Sequence, residues 1–207
     1  SKNRFLYWRQ QNKSFEGLTT FRTFSAPLLT GGTEPDYVTG LRVSEDFFKV
    51  FATYPRIGRT FSDEENVTGG PKAIILTDAL WKRHFGASPD VLHKTVSISD
   101  VNYTIVGVMP ENFWFETDAD FITTLQLGTS MEITASGLNY PVIGRLKSGV
   151  TRDQALSEMK VIANQFHASH PAELIKGEGI NVVDYREFMV GEIRLQLIVL
   201  LSAVAFV

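Results

Sequence analysis

An α+β fold is the architecture this sequence of 207 residues predicts. Short β-branched and aromatic segments recur between Gly, Pro and Asn/Asp turn signals, the mark of strands. Between them lie capped segments with apolar residues three and four apart, the mark of amphipathic helices. The third observation is the last stretch, Val190 to Val207, which carries no charge from Leu195 onward.

By length alone that apolar run is a buried core helix as readily as a membrane span, because crossing a bilayer takes ~20 residues. Its residues, among them Leu195, Leu197, Ile198, Leu201, Val204 and Phe206, surround the helix and form no single stripe. A helix apolar all round is deeply buried or lies in lipid. Glu192 and Arg194 stand at its entrance, where charged ends stay hydrated. We read 189–207 as the start of a truncated transmembrane helix and what precedes it as a soluble domain at the membrane surface. Ser1 in place of an initiator Met, and the run left open at Val207, make both ends read as cuts.

A chain with 43% hydrophobic and 21% charged residues is ordinary globular protein. Its net charge of −3 gives no electrostatic footprint for nucleic acid, and the cluster Lys82, Arg83, His84 reads as a solvated helix face. Zero cysteines exclude disulfides and thiolate metal sites. That fits an extracytoplasmic bacterial domain and many cytosolic ones alike.

In chain order, Asn3 caps a first helix whose apolar face is Phe5 and Trp8, with Phe15 a further candidate. Leu18 to Leu29 and Tyr37 to Val43 form a hairpin around the turn signal Gly31-Gly32. Ser44 caps a helix with Glu45 and Asp46 in its first turn, and Pro55 ends it. Phe61 to Pro71 is a polar loop. Ala73 to Leu76 is a strand, followed by a helix capped by Thr77 or Asp78 and closed by Gly86. Thr95 to Ser99 and Tyr103 to Val108 pair around Asp100-Val101-Asn102. After the strand Val142 to Leu146, the capping box Thr151/Gln154 opens the clearest helix, with a stripe of Ala155, Met159, Ile162 and Phe166 widened by Leu156 and Ala163. Burying Leu156, Met159, Ile162 and Phe166 contributes on the order of 6 to 12 kcal/mol before entropy. Pro171 stops this helix, and Ile180 to Tyr185 is a last strand.

Candidate chemistry is sparse. Glu64 and Glu65 invite a paired-carboxylate reading, but such pairs need one carboxyl desolvated, and the residues around these two read as solvated. His167 and His170 are close enough to share a metal but have no third ligand nearby in sequence, so they read as a surface pair. Nucleotide-binding, hydrolase-elbow and zinc-protease motifs are absent from the sequence, so no catalytic residue, cofactor or metal ligand is expected. In the acidic loop from Glu111 to Asp120, Phe113, Trp114 and Phe115 pack beneath their own loop or, if exposed, are the candidate partner-contact anchor. The residues leave open a membrane-tethered extracytoplasmic binding module with no transport role, and a hydrolase with a site hidden from sequence.

Several blocks, in order, resemble the MacB-like periplasmic core domain of FtsX-type ABC transporter permeases. They are FLYWRQQNKSFEGL, LTGGTEPDYVTGLRVSEDFFKVF with GRTFSDEE, AIILTDALWKRHFG, VSISDVNYTIVGVMPENF, VIGRLKSGVTRDQALSEMKVIA and VGEIRLQLIVLLSAVAFV. The resemblance implies two extracytoplasmic lobes: a porter-like α/β lobe of 1–68 and 137–188, and an inserted sabre-like lobe of 69–136. It further implies an inner-membrane location with this domain periplasmic, membrane attachment through flanking helices, a cytoplasmic ABC ATPase subunit or domain, a periplasmic adaptor with an outer-membrane duct, and a dimer in the full transporter. The implied role is mechanical, with Val182 to Leu201, a strand leading into a membrane helix, as the lever. At His93 relatives commonly carry glycine. Histidine adopts positive φ less readily, which argues against a left-handed turn there.

Overall fold

The computed structural model describes residues 1–29, 36–115, 118–127, 141–173 and 179–189. The chain divides into two compact units, one of Ser1–Arg9 with Gly17–Arg145 and one of Gln10–Glu16 with Leu146–Val207. Among the described residues no helix is long and apolar enough to cross a membrane, and the predicted membrane run from Val190 lies outside them.

The first unit is built on a mixed sheet. Strand β1 (Phe15–Leu29) pairs antiparallel with β2 (Asp36–Val43), from Phe21 opposite Val43 to Leu28 opposite Asp36. β2 runs parallel to β7 (Phe121–Thr124), which is antiparallel to β4 (Ala73–Leu76). β4 is parallel to β6 (Val101–Val108), and β6 is antiparallel to β5 (Thr95–Ile98). β5 returns to β1 through Leu28 opposite Ile98 and Leu29 opposite Ser97. The pairings therefore close on themselves, and closure removes the exposed edges that an open sheet must protect. β3 (Ile57–Gly58) adds to β6 outside the circuit, and β8 (Val142–Leu146) adds to β1.

Strand side chains alternate faces, so each face collects its own core. One cluster draws on all six strands of the circuit: Ala26, Leu28, Val38, Ile74, Leu76, Val96, Ile98, Tyr103, Ile105, Val108 and Phe121, joined by Leu80 and Trp81. The other holds Phe21, Leu41, Val43, Ala73, Ile75, Val106 and Ile122, covered by Phe47, Phe48 and Phe115. β4 is buried at every residue, which its unbroken AIIL run reflects. Gly40 leaves space for two rings, since a Cβ there would lie 2.5 Å from Phe121 and 2.6 Å from Phe24.

Helix α1 (Lys2–Gln11) is capped by Ser1, whose Oγ accepts the Arg4 N–H, and not by Asn3, which is buried inside it. Phe15 belongs to β1. The expected antiparallel pairing of β1 with β2 is present, and the turn expected at Gly31-Gly32 lies outside the described residues. Ser44 is no side-chain cap for α2 (Phe47–Phe51): its hydroxyl accepts the Thr20 N–H and bonds the Thr19 hydroxyl, a stronger claim inside the core. α2 ends at Ala52 in the left-handed region, ahead of Pro55. The polar loop contains a one-turn helix, α3 (Asp63–Asn66), opened by a Ser62/Glu65 capping box. α4 (Asp78–Phe85) is capped by Thr77 and closed by Gly86, as its sequence predicts. The β5/β6 turn is Ser99-Asp100, both at positive φ, and Val101 and Asn102 are already in the strand. Two such residues are what a two-residue hairpin turn demands. His93 does adopt the left-handed conformation, φ 66°, held by its N–H to the Ile105 carbonyl (2.8 Å) and by the Ile105 N–H to the Lys94 carbonyl (2.9 Å).

Pairings β1–β5, β2–β7 and β3–β6 join residues on either side of the expected lobe boundary at 68/69. The second unit contains α5 (Arg152–Ser169), opened by the Thr151/Gln154 capping box and burying Ala155, Met159, Ile162 and Phe166, the predicted stripe. Glu158 on α5 accepts the backbone N–H groups of Lys13 and Ser14, both at 2.9 Å. Burial opposes its charge, but these bonds outweigh burial and hold its pKa below the ordinary glutamate value. The predicted strand Ile180 to Tyr185 is absent: residues 180–184 have no regular structure and 185–189 are helical. Asp184 explains the difference, since its side chain accepts the N–H groups of Arg186 and Glu187 and starts a helix.

Gly58 has φ 79°, and a Cβ there would lie 2.2 Å from the Val106 carbonyl oxygen; Gly149 has φ 80° in open space. Urea denaturation should show Gly58→Ala costing about 3 kcal/mol, Gly149→Ala about 1 kcal/mol, and His93→Gly gaining about 0.5–1 kcal/mol.

Candidate partner-contact surface

The three candidate anchor residues do not share a face. After Pro110, whose carbonyl accepts the Phe113 N–H at 2.9 Å, the chain alternates. Phe115 is buried, edge-on to Phe21, Phe47 and Phe51 with centroids 4.8, 5.3 and 5.2 Å away. Phe113 packs half-buried on the same cluster. Trp114, between them, is 68% exposed.

Trp114 is held from both sides. Phe115 roots one end of its loop, and at the other Glu111 reaches Lys82 of α4 (3.1 Å). Lys82 also bonds Asp78 (2.7 Å), which meets Arg56 (2.7 Å). The bond to Asp78, and then that to Glu111, holds Lys82 above the ordinary lysine pKa. Arg56 lies over the Trp81 ring at 4.9 Å. A loop whose backbone is rooted by Phe115 has less backbone freedom left to lose on binding. The basic cluster is a paired one: Arg83 meets Asp120 (3.1 Å), and His84, its side chain only 14% exposed, meets Asp36 (2.8 Å). Asp120 also accepts the Thr39 N–H through its side chain, and the Thr77 N–H and hydroxyl through its carbonyl.

Other candidates resolve into structure. Glu64 is exposed, but Glu65 is buried and makes two 2.8 Å bonds to the Arg59 guanidinium. The pair was obscured in sequence because the burial comes from the fold. Arg59 first, against burial, and then the Ser62 N–H hold Glu65 below the ordinary glutamate pKa. Gln126 clips this turn by donating to the Glu65 and Gly70 carbonyls. The His170 ring stacks on Phe166 at 4.4 Å, and no cluster of three potential His, Asp or Glu ligands occurs among the described residues.

The class defined here is an α+β domain on a mixed sheet, with one exposed aromatic side chain on an anchored loop. The sequence matches the MacB-like periplasmic core domain over residues 6–162, and the chain belongs to that family, the periplasmic domain of ABC transporter permeases. No curated protein matches it. The fold is similar to the periplasmic region of MacB from Actinobacillus actinomycetemcomitans (TM-score 0.57, 16% identity, covering 77% of this chain and 71% of that one). It is similar also to the extracellular domain of the noncanonic ABC-type transporter YknZ from Gram-positive bacteria (TM-score 0.58, 19% identity, 88% and 87% covered).

Phe115→Ala should cost about 3–5 kcal/mol in urea denaturation and Trp114→Ala less than about 0.5 kcal/mol, because only the first opens a cavity. Glu65 has a depressed folded-state pKa, so its contribution is present above the unfolded value near ~4.3 and is lost as pH falls through the folded value. Glu65→Gln should cost about 1–3 kcal/mol at neutral pH. In pH-dependent denaturation the gap to wild type should narrow below about pH 4.

Proposed function

We propose that this domain is the extracytoplasmic part of an inner-membrane permease of the MacB/FtsX type. It transmits conformational change driven by a cytoplasmic ABC ATPase subunit or domain to the export of a drug, peptide or envelope component, or to partner proteins. The observation that carries the reading is the family match over residues 6–162, supported by a fold shared with two transporter domains. No step of this role calls for a catalytic residue in the chain. A periplasmic adaptor leading to an outer-membrane duct is the proposed partner, in a dimeric transporter, with Trp114 as the contact that an adaptor buries. Trp and other large aromatics dominate such contacts when a rigid surround excludes water.

Transmission is proposed to run through residues 185–189 into the apolar sequence that follows. A rigid element crossing between a domain and the membrane carries a rigid-body shift, and a flexible one dissipates it. In vesicles holding the parent permease and its ATPase, a Gly/Ser insertion after Glu187 should abolish transport while ATP hydrolysis persists. Unchanged transport would overturn the coupling role. Trp114→Ala should weaken adaptor co-purification at least tenfold without loss of folded protein.

A further inference from the structure

We infer that Phe188 rests against the headgroup layer of the bilayer and anchors the second unit to the lipid surface. The inference rests on reading 189–207 as the start of a membrane helix. In the second unit the exposed large apolar side chains among the described residues are Val161, Val183 and Phe188. Two of the three stand immediately before the apolar run. Phe188 is 66% exposed and Val183 53%, and Arg186 between them is exposed as well.

The placement of Phe188 is set locally. Asp184 Oδ1 accepts the N–H groups of Arg186 (2.8 Å) and Glu187 (3.2 Å), and the Phe188 N–H donates to the Asp184 carbonyl (2.9 Å). The side-chain cap and the first helical bond thus fix the turn that presents Phe188 to solvent. On that reading Leu195, where charge ends, is seven residues further along the membrane helix, about 10 Å at the helical rise. The headgroup layer is about 5–7 Å thick on each side. Phe188 therefore stands a few ångströms beyond the outer edge of that layer, within reach of its own side chain, and helices that lie on membranes bury Phe at the headgroup boundary. Arg186 has a stem that can lie on the same surface with its guanidinium at the phosphates. Lipid accounts for the exposed ring better than a protein partner does, because the uncharged run begins only seven residues beyond it, past Glu192 and Arg194.

The test uses the full-length permease in phosphatidylcholine/phosphatidylglycerol vesicles, with any cysteines elsewhere in the parent replaced, since this chain has none. Single variants Phe188→Cys, Ala203→Cys and Val101→Cys carry an environment-sensitive fluorophore, and lipids carry spin labels near the headgroup or at mid-chain. The label at 188 should be quenched by the headgroup-proximal spin label at least threefold more than the label at 101, and the label at 203 by the mid-chain one. Quenching at 203 without quenching at 188 would overturn the anchor and leave the membrane reading intact. A label at 188 shielded from aqueous iodide yet unquenched by lipid would overturn it in favour of a protein partner. Absence of quenching at 203 would remove the membrane reading itself, and the anchor with it.

Discussion

Strand β1 is paired along both edges, and the rest of the first unit depends on that. Its residues from Phe21 to Leu28 pair with β2, while Leu28 and Leu29 also pair with β5. Leu28, opposite both Asp36 and Ile98, is where the circuit closes, and its side chain is 1% exposed in the cluster fed by all six strands. Without the β1–β5 contact the sheet would present two open edges, and the inner cluster would lose its last wall. The tight approach at Gly40, where Phe24 and Phe121 fill the space of a missing side chain, belongs to the same packing.

Closure also decides what the loops can do. The segment between β6 and β7 leaves a strand that is locked into the circuit and re-enters one that is locked as well. Phe115 roots its described residues 111–115 in the core, and the Glu111–Lys82–Asp78–Arg56 chain lies beside them. Such rigidity suits the transmission role proposed above, because a soft surface absorbs displacement before a partner feels it. The acidic and basic groups at this end neutralise one another, and they orient the loop more than they create a field.

Much of the fold was legible in sequence because it is encoded locally. The AIIL strand, the Thr77 cap with the Gly86 stop, and the Thr151/Gln154 box with its buried stripe rest on near neighbours in the sequence, and β1 pairs with the strand that follows it. Where the reading went astray, a distant partner or an overlooked local bond was responsible. Ser44 looked like a cap, but its hydroxyl is taken by Thr19 and Thr20 across the sheet. Glu65 looked solvated, but the fold brings Arg59 against it. The strand expected at Ile180 to Tyr185 yielded to a side-chain cap at Asp184 that was available in sequence and missed.

The candidate site divides along the same line. Sequence alone determined that three adjacent aromatics sit in a loop bounded by Pro110 and an acidic stretch, and that an uncharged apolar run follows Arg194. Only the tertiary structure decided that Phe115 enters the core, Phe113 leans on it and Trp114 faces water. Caps, turns and periodic stripes are interactions between near neighbours and are written in consecutive letters. Closure through Leu28 and Ile98, and the direction of Trp114, are set by residues far apart in the chain that meet only once the core has formed.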